Sequence, residues 1–113
     1  QVKVLIARAL MTNPELMILD EPSVYLDLAG REFLLKTIEE LAATRPDLTM
    51  IFITQRIEDI LPVFDCGMIL KSGEIVARGT RDEVLTEENL KNAFDLDIQL
   101  IRTDKGRLWT VIR

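Results

Sequence analysis

The stretch "LMILDEPSVYLD", Leu16 to Asp27, decides how the rest of this chain is read. Leu16 to Leu19 form an apolar run too short for a helix of its own and bounded by Pro14 and Pro22, so it reads as a strand buried on both faces. Two carboxylates, Asp20 and Glu21, stand at the end of that strand. In an open parallel sheet, ligands bind beyond the carboxyl ends of the strands, which makes this end a candidate site. An ionised carboxylate desolvated on one side wants a cation. Magnesium suits Asp20 because it takes oxygen ligands, keeps several of its waters and bridges to substrate phosphates. Glu21 lies where the chain is leaving the strand, and there it can orient or deprotonate a water attacking such a phosphate. An isolated Asp-Glu pair would more simply end a strand with solvated charge. It is the pattern around this pair that argues for chemistry.

Working outward, residues 2 to 11 place Val4, Leu5, Ala7, Ala9, Leu10 and Met11 around Lys3 and Arg8, as in a partly buried helix that "TNPE" terminates. On the other side Asp27 is an N-cap for a helix through "LAGREFLLKTIEELAAT". Leu34, Ile38 and Leu41 recur there at helical spacing, and Phe33 and Leu35 widen the apolar face. "RPD" breaks that helix, and "LTMIFIT", Leu48 to Thr54, follows as a second apolar strand. Strand, helix and strand with both strands nearly all apolar predict an α/β fold on a parallel sheet covered by helices. After a short helical turn at residues 56 to 61, Lys71-Ser72-Gly73-Glu74 marks a β-hairpin, and Thr80 with Glu83 has the spacing of a capping box. A helix over Glu87 to Phe94 and a last hairpin turning at Asp104-Lys105-Gly106, with Trp109 and Val111 on one face, complete the chain.

Composition narrows the chemistry. The 113 residues are 48% hydrophobic and 29% charged, a profile of a folded domain and not of a disordered tail. The formal charge is -5 and the basic residues are scattered among acidic ones, so no nucleic-acid partner is expected. There is no His, which removes imidazole catalysis and His-ligated zinc from this chain. The lone Cys66 reads as a small core residue of a reduced, cytosolic protein. No apolar run is long enough to cross a bilayer, and "QVKVLIARAL" has neither an initiating Met nor the layout of a signal peptide, so it reads as the middle of a longer chain.

These residues resemble a known family. "LMILDEP" is similar to the Walker B strand of ATP-binding-cassette ATPases, and "VLIARAL" to the helix after that family's signature sequence. "YLD" sits where the family's D-loop lies, "IFITQR" where its switch strand and loop lie, and "ILKSGEIVARGTRDEVL" is similar to its hairpin and following helix. The match runs in order over residues 1 to 87, with a helix and β-hairpin extension over 88 to 113. The resemblance implies the parallel-sheet core of a P-loop NTPase of RecA-like type, with ATP and Mg2+ as cofactors. It gives Asp20 to the metal and the nucleotide, Glu21 to general-base catalysis, Gln55 to the terminal phosphate, and Leu26 and Asp27 to contact with a second nucleotide-binding domain. It further implies the ATPase subunit of a transporter, cytoplasmic and held at the inner face of the membrane by a permease partner.

Certain features depart from the family pattern. Gln55 stands where the family has its switch histidine, and its amide can donate to a phosphate oxygen but carries neither proton nor charge, so slower hydrolysis is expected. Val24 and Tyr25 occupy D-loop positions that prefer small or polar residues. No G-x-x-x-x-G-K-[ST] loop is present to cradle phosphates, and the signature sequence is absent too, so the chain reads as the C-terminal half of a nucleotide-binding domain. Such a half exposes core and sheet edge that the other half covers. Other readings stay open: a degenerate regulatory or interaction module without turnover, or a soluble cassette protein acting outside membranes.

Overall fold

The structure is a computed structural model that describes residues 2–113, with side chains from Ile6 onward. It comprises two compact units, residues 1–59 and 60–113.

The first unit runs α1 (Val2–Leu10), β1 (Leu16–Asp20), α2 (Leu28–Thr44), β2 (Thr49–Ile53) and a 3-10 turn at Ile57–Asp59. β1 and β2 pair in parallel, Leu16 opposite Thr49 through Asp20 opposite Ile53. α2 carries the connection between them, as a parallel pair requires. Its apolar positions sort sharply. Leu34, Leu35, Ile38 and Leu41 are buried, each burial being worth roughly 1.5–3 kcal/mol, whereas Phe33 is 51% exposed and does not join that face. On α1 the buried side chain is Ile6; Ala7, Ala9 and Met11 are exposed, and Val4 and Leu5 lie outside the described side chains.

The expectation of strands buried on both faces is corrected. Met17 is buried, and Leu19, Met50 and Phe52 on the same face are half-buried, but Leu16, Ile18, Ile51 and Ile53 on the other face are exposed. An apolar run specifies a strand whose environment is apolar in the intact fold. It does not say that the covering layer is among the described residues.

The second unit runs β3 (Cys66–Lys71), β4 (Glu74–Thr80), α3 (Arg81–Val84), α4 (Glu87–Phe94), β5 (Ile98–Arg102) and β6 (Leu108–Ile112). β3 and β4 are antiparallel around Ser72 and Gly73, both at positive φ, +52 and +79°, which is the backbone a two-residue hairpin turn demands. The capping box is present: the Thr80 hydroxyl accepts from Glu83 N–H at 3.2 Å and the Glu83 carboxylate accepts from Thr80 N–H at 3.0 Å. Thr80→Ala should therefore cost about 1 kcal/mol, read as a lowered unfolding midpoint. Leu90, with no exposed surface, anchors α4 against a core that includes Val84, Leu85, Ile98 and Leu108. Cys66 is exposed at the start of β3, correcting its reading as a core residue, because it begins an edge strand where its side chain faces outward. Trp109 shares a face with Ile101 and Val111 and is 38% exposed, with the Arg107 guanidinium 5.4 Å from its ring centroid.

Glu87 ties α4 to the last hairpin. Its carboxylate accepts from Leu100 N–H at 2.9 Å and from the Arg113 guanidinium at 3.1 Å, and these bonds hold its pKa below the ordinary 4.5. Glu83 is lowered likewise by the Thr80 N–H and hydroxyl. A depressed folded-state pKa gives stability that is present above the unfolded value and is lost as pH falls through the folded one. Acidification from about pH 5 should therefore lower the protection factor of the Leu100 amide, its exchange rate taken relative to the intrinsic rate at each pH, and Glu87→Gln should flatten that dependence.

Candidate functional site

The carboxyl ends of the two parallel strands gather the candidate residues. Asp20 closes β1 opposite Ile53, and Glu21 N–H donates to Ile53 C=O at 2.7 Å, so the ladder continues one residue past the strand. Glu21 then turns away at φ +45°, in the left-handed region that a non-glycine residue rarely adopts and that recurs at functional sites. Leaving the strand this way frees its side chain from the alternation that puts Asp20 on the exposed face. Asp20 is exposed and Glu21 half-buried.

Beyond Glu21 the turn is closed by Val24 N–H on Glu21 C=O at 3.3 Å and Leu26 N–H on Ser23 C=O at 3.0 Å. Leu26 is half-buried. The Asp27 carboxylate caps α2 by accepting from Gly30 N–H at 2.8 Å. A Cβ on residue 30 would stand 3.0 Å from that oxygen, which accounts for a glycine inside the first turn. Tyr25, 96% exposed, and Val24 form the tip of the turn.

Gln55 is exposed and lies two residues beyond β2, on the loop that starts beside Glu21, and Arg56 N–H donates to the Thr54 hydroxyl at 2.9 Å to open the 3-10 turn. Asp20, Glu21 and Gln55 therefore share one edge of the parallel pair.

Magnesium can be tested against this donor set. Among the described residues no group of three or more His, Cys, Asp or Glu side chains is placed to hold a metal. A resident structural ion does not fit. One exposed strand-end carboxylate with a second beside it does fit an ion that takes most of its ligands from water and phosphate oxygens.

Sequence reasoning missed one part of this edge. Asp59, fully buried, accepts a hydrogen bond from the Ser23 hydroxyl at 2.5 Å and lies near the guanidinium groups of Arg31, 3.7 Å, and Arg56, 3.8 Å. Nothing local signals it, because Ser23 and Asp59 are 36 residues apart.

Comparison with known proteins places these elements. The chain is 44% identical over 99 residues to the uncharacterized ABC transporter ATP-binding protein YlmA of Bacillus subtilis, covering 88% of this chain and 38% of that protein. It is 34% identical over 105 residues to an ABC transporter ATP-binding protein of Streptococcus mutans, covering 93% and 40%. It is 37% identical over 82 residues to the molybdenum import ATP-binding protein ModC of Salmonella choleraesuis, covering 73% and 23%. The chain thus spans about two fifths of the length of the first two relatives. No family model matches. Among solved structures, a metal-chelate type ABC transporter in an inward-facing conformation superposes with a TM-score of 0.81 at 27% identity, over 99% of this chain and 44% of that one. An ATP-binding cassette of an ABC transporter superposes with a TM-score of 0.65 at 26% identity, over 80% and 35%. The parallel pair, its strand-end carboxylates and the hairpins that follow are thus parts of a P-loop NTPase fold, and the chain belongs to the family of ATP-binding-cassette transporter ATPases.

Proposed function

We propose that this chain is the C-terminal half of the nucleotide-binding domain of an ABC transporter ATPase subunit, residues 1–87 belonging to that domain and 88–113 extending it. The intact protein binds and hydrolyses ATP at the cytoplasmic face of a membrane and passes the resulting conformational change to a permease. The observation that carries the reading is the shared strand edge, where Glu21 N–H bonds Ile53 C=O and so sets the turn after Glu21 beside the loop that bears Gln55. Among the described residues no helix is long and apolar enough to cross a membrane.

Asp20 would hold the magnesium that accompanies the nucleotide, an ion that would supply neutralisation of charge on the phosphates. Glu21 accepts the proton of the attacking water. Gln55 donates its amide to the terminal phosphate. Leu26 and Asp27 lie against a second nucleotide-binding domain. The exposed face of Leu16, Ile18, Ile51 and Ile53 packs against the half of the domain that carries the phosphate loop, which explains strands that are apolar throughout yet bare on one side. The chain alone should accordingly release no phosphate from ATP.

Two observations favour a second reading, a regulatory module without turnover: Gln55 cannot carry a charge, and Tyr25 projects from the turn that meets the partner domain. The full-length protein separates the two. Gln55→His should raise its steady-state phosphate release by roughly 3–10-fold, of the order that one better-placed charged hydrogen bond supplies. No release from either form would establish the regulatory module instead.

A further inference from the structure

Asp59 has no exposed surface, yet no chemistry assigned above uses it. Burying a carboxylate is unfavourable unless cations and hydrogen bonds compensate. Here the compensation comes from three separate segments of the first unit. The Ser23 hydroxyl, two residues beyond Glu21, donates to Oδ2 at 2.5 Å. Arg56 Nε, from the residue next to Gln55, is 3.8 Å from Oδ2, and Arg31 Nε, from the start of α2, is 3.7 Å from Oδ1. Oδ1 itself accepts no hydrogen bond. A hydrophobic residue at this position would fill the space without that cost. What it would not do is fix the turn after Glu21, the loop after Gln55 and the start of α2 to one point.

We propose that Asp59 is a positioning residue that locks the Glu21 turn to the Gln55 loop through Ser23 and Arg56, with Arg31 holding the lock to α2. The proposal rests on the ATPase reading above and deepens it. The hydroxyl fixes the backbone two residues from the base. The Arg56 guanidinium draws in the backbone one residue from the phosphate contact. Losing the charge leaves Arg31 and Arg56 without their shared anion and lets the two segments move independently. Because Asp59 has no exposed surface, its loss should be felt in turnover, through the relative placing of Glu21 and Gln55, and not in nucleotide affinity.

The test uses the full-length protein and measures kcat and KM for ATP. Asp59→Asn should lower kcat about tenfold with KM changed less than about twofold, as displacement of a group made to act in the transition state does. The loss should combine with that of Gln55→Ala to less than the product of the two, because part of it acts through Gln55. Ser23→Ala, which removes one hydrogen bond and leaves the ion pairs, should lower kcat about threefold and also combine with Gln55→Ala to less than the product. It decides the matter if Asp59→Asn does not fold. Hydrogen exchange should show residues 21–27 and 54–58 losing protection together in either variant. Losses that multiply with Gln55→Ala, or unchanged exchange in both segments, would overturn the lock. If the wild-type protein hydrolyses no ATP, the ATPase reading has failed, and exchange alone decides: joint loosening sustains the lock and unchanged protection ends it.

Discussion

Glu21→Gln in the full-length protein should reduce phosphate release by about 10²–10⁴-fold, the range a positioned general base contributes. The amide has nearly the shape of the carboxylate and can keep the left-handed turn at φ +45° and the Glu21 N–H bond to Ile53 C=O, since both belong to the backbone. What it cannot do is accept a proton from water. ATP binding should survive, because removing a negative charge beside the phosphates relieves repulsion. Asp20→Asn should behave differently: it weakens the hold on magnesium, so its loss should be partly recovered at high magnesium whereas that of Glu21→Gln is not. Equilibrium nucleotide binding measured beside steady-state turnover reads both. Turnover within about threefold of wild type in Glu21→Gln would remove Glu21 from the role of base.

The residues behind that expectation were legible in the sequence because they are local. A strand followed by Asp20-Glu21-Pro22, an N-cap three residues before Gly30, Ser72-Gly73 between strands and Thr80 three residues before Glu83 each state their geometry within a few positions, and each is found as stated. Features set by tertiary structure were not. The apolar runs at Leu16–Leu19 and Leu48–Thr54 announce strands but carry no information about which neighbours are present, and so Ile18 and Ile51 proved exposed. Phe33 obeys the same spacing rule as Leu35 closely enough to look buried, and only packing separates them. Asp59 was invisible for a stronger reason. Within "RIEDI" it reads as one more acid on a polar turn, and its meaning comes from Ser23 and Arg31, which chain topology alone brings to it. Arg81 is hidden in the same way.

Arg81→Met should remove about 3 kcal/mol from the second unit, which for a unit of this size is most of its stability. Arg81 is only 7% exposed, and its guanidinium does not answer a buried carboxylate. One nitrogen, Nη2, donates to Ile60 C=O at 2.7 Å and to Gly106 C=O at 3.2 Å, joining the start of the unit to its last turn. Asp82 is 3.7 Å away and largely solvated, while Nε is buried with no hydrogen-bond partner. Burial, then repulsion from Arg102, lowers the Arg81 pKa. The charge is thus held at a cost that the two carbonyls offset. Methionine keeps the aliphatic stem but strands both carbonyls. Hydrogen bonds to charged groups are worth roughly 1.5–3 kcal/mol each, and relief of the buried cation returns part of that. Lysine keeps the charge, but a single ammonium on a flexible stem lacks the planar fork, so Arg81→Lys should lose about half as much. Trp109, the sole tryptophan, lies in this unit, so its fluorescence during urea unfolding reports on it directly. The midpoint should fall by roughly 1–3 M for methionine at an unchanged slope, with lysine between it and wild type. If methionine unfolds with the wild-type midpoint, the two carbonyls find other partners and Arg81 is not what joins Ile60 to Gly106.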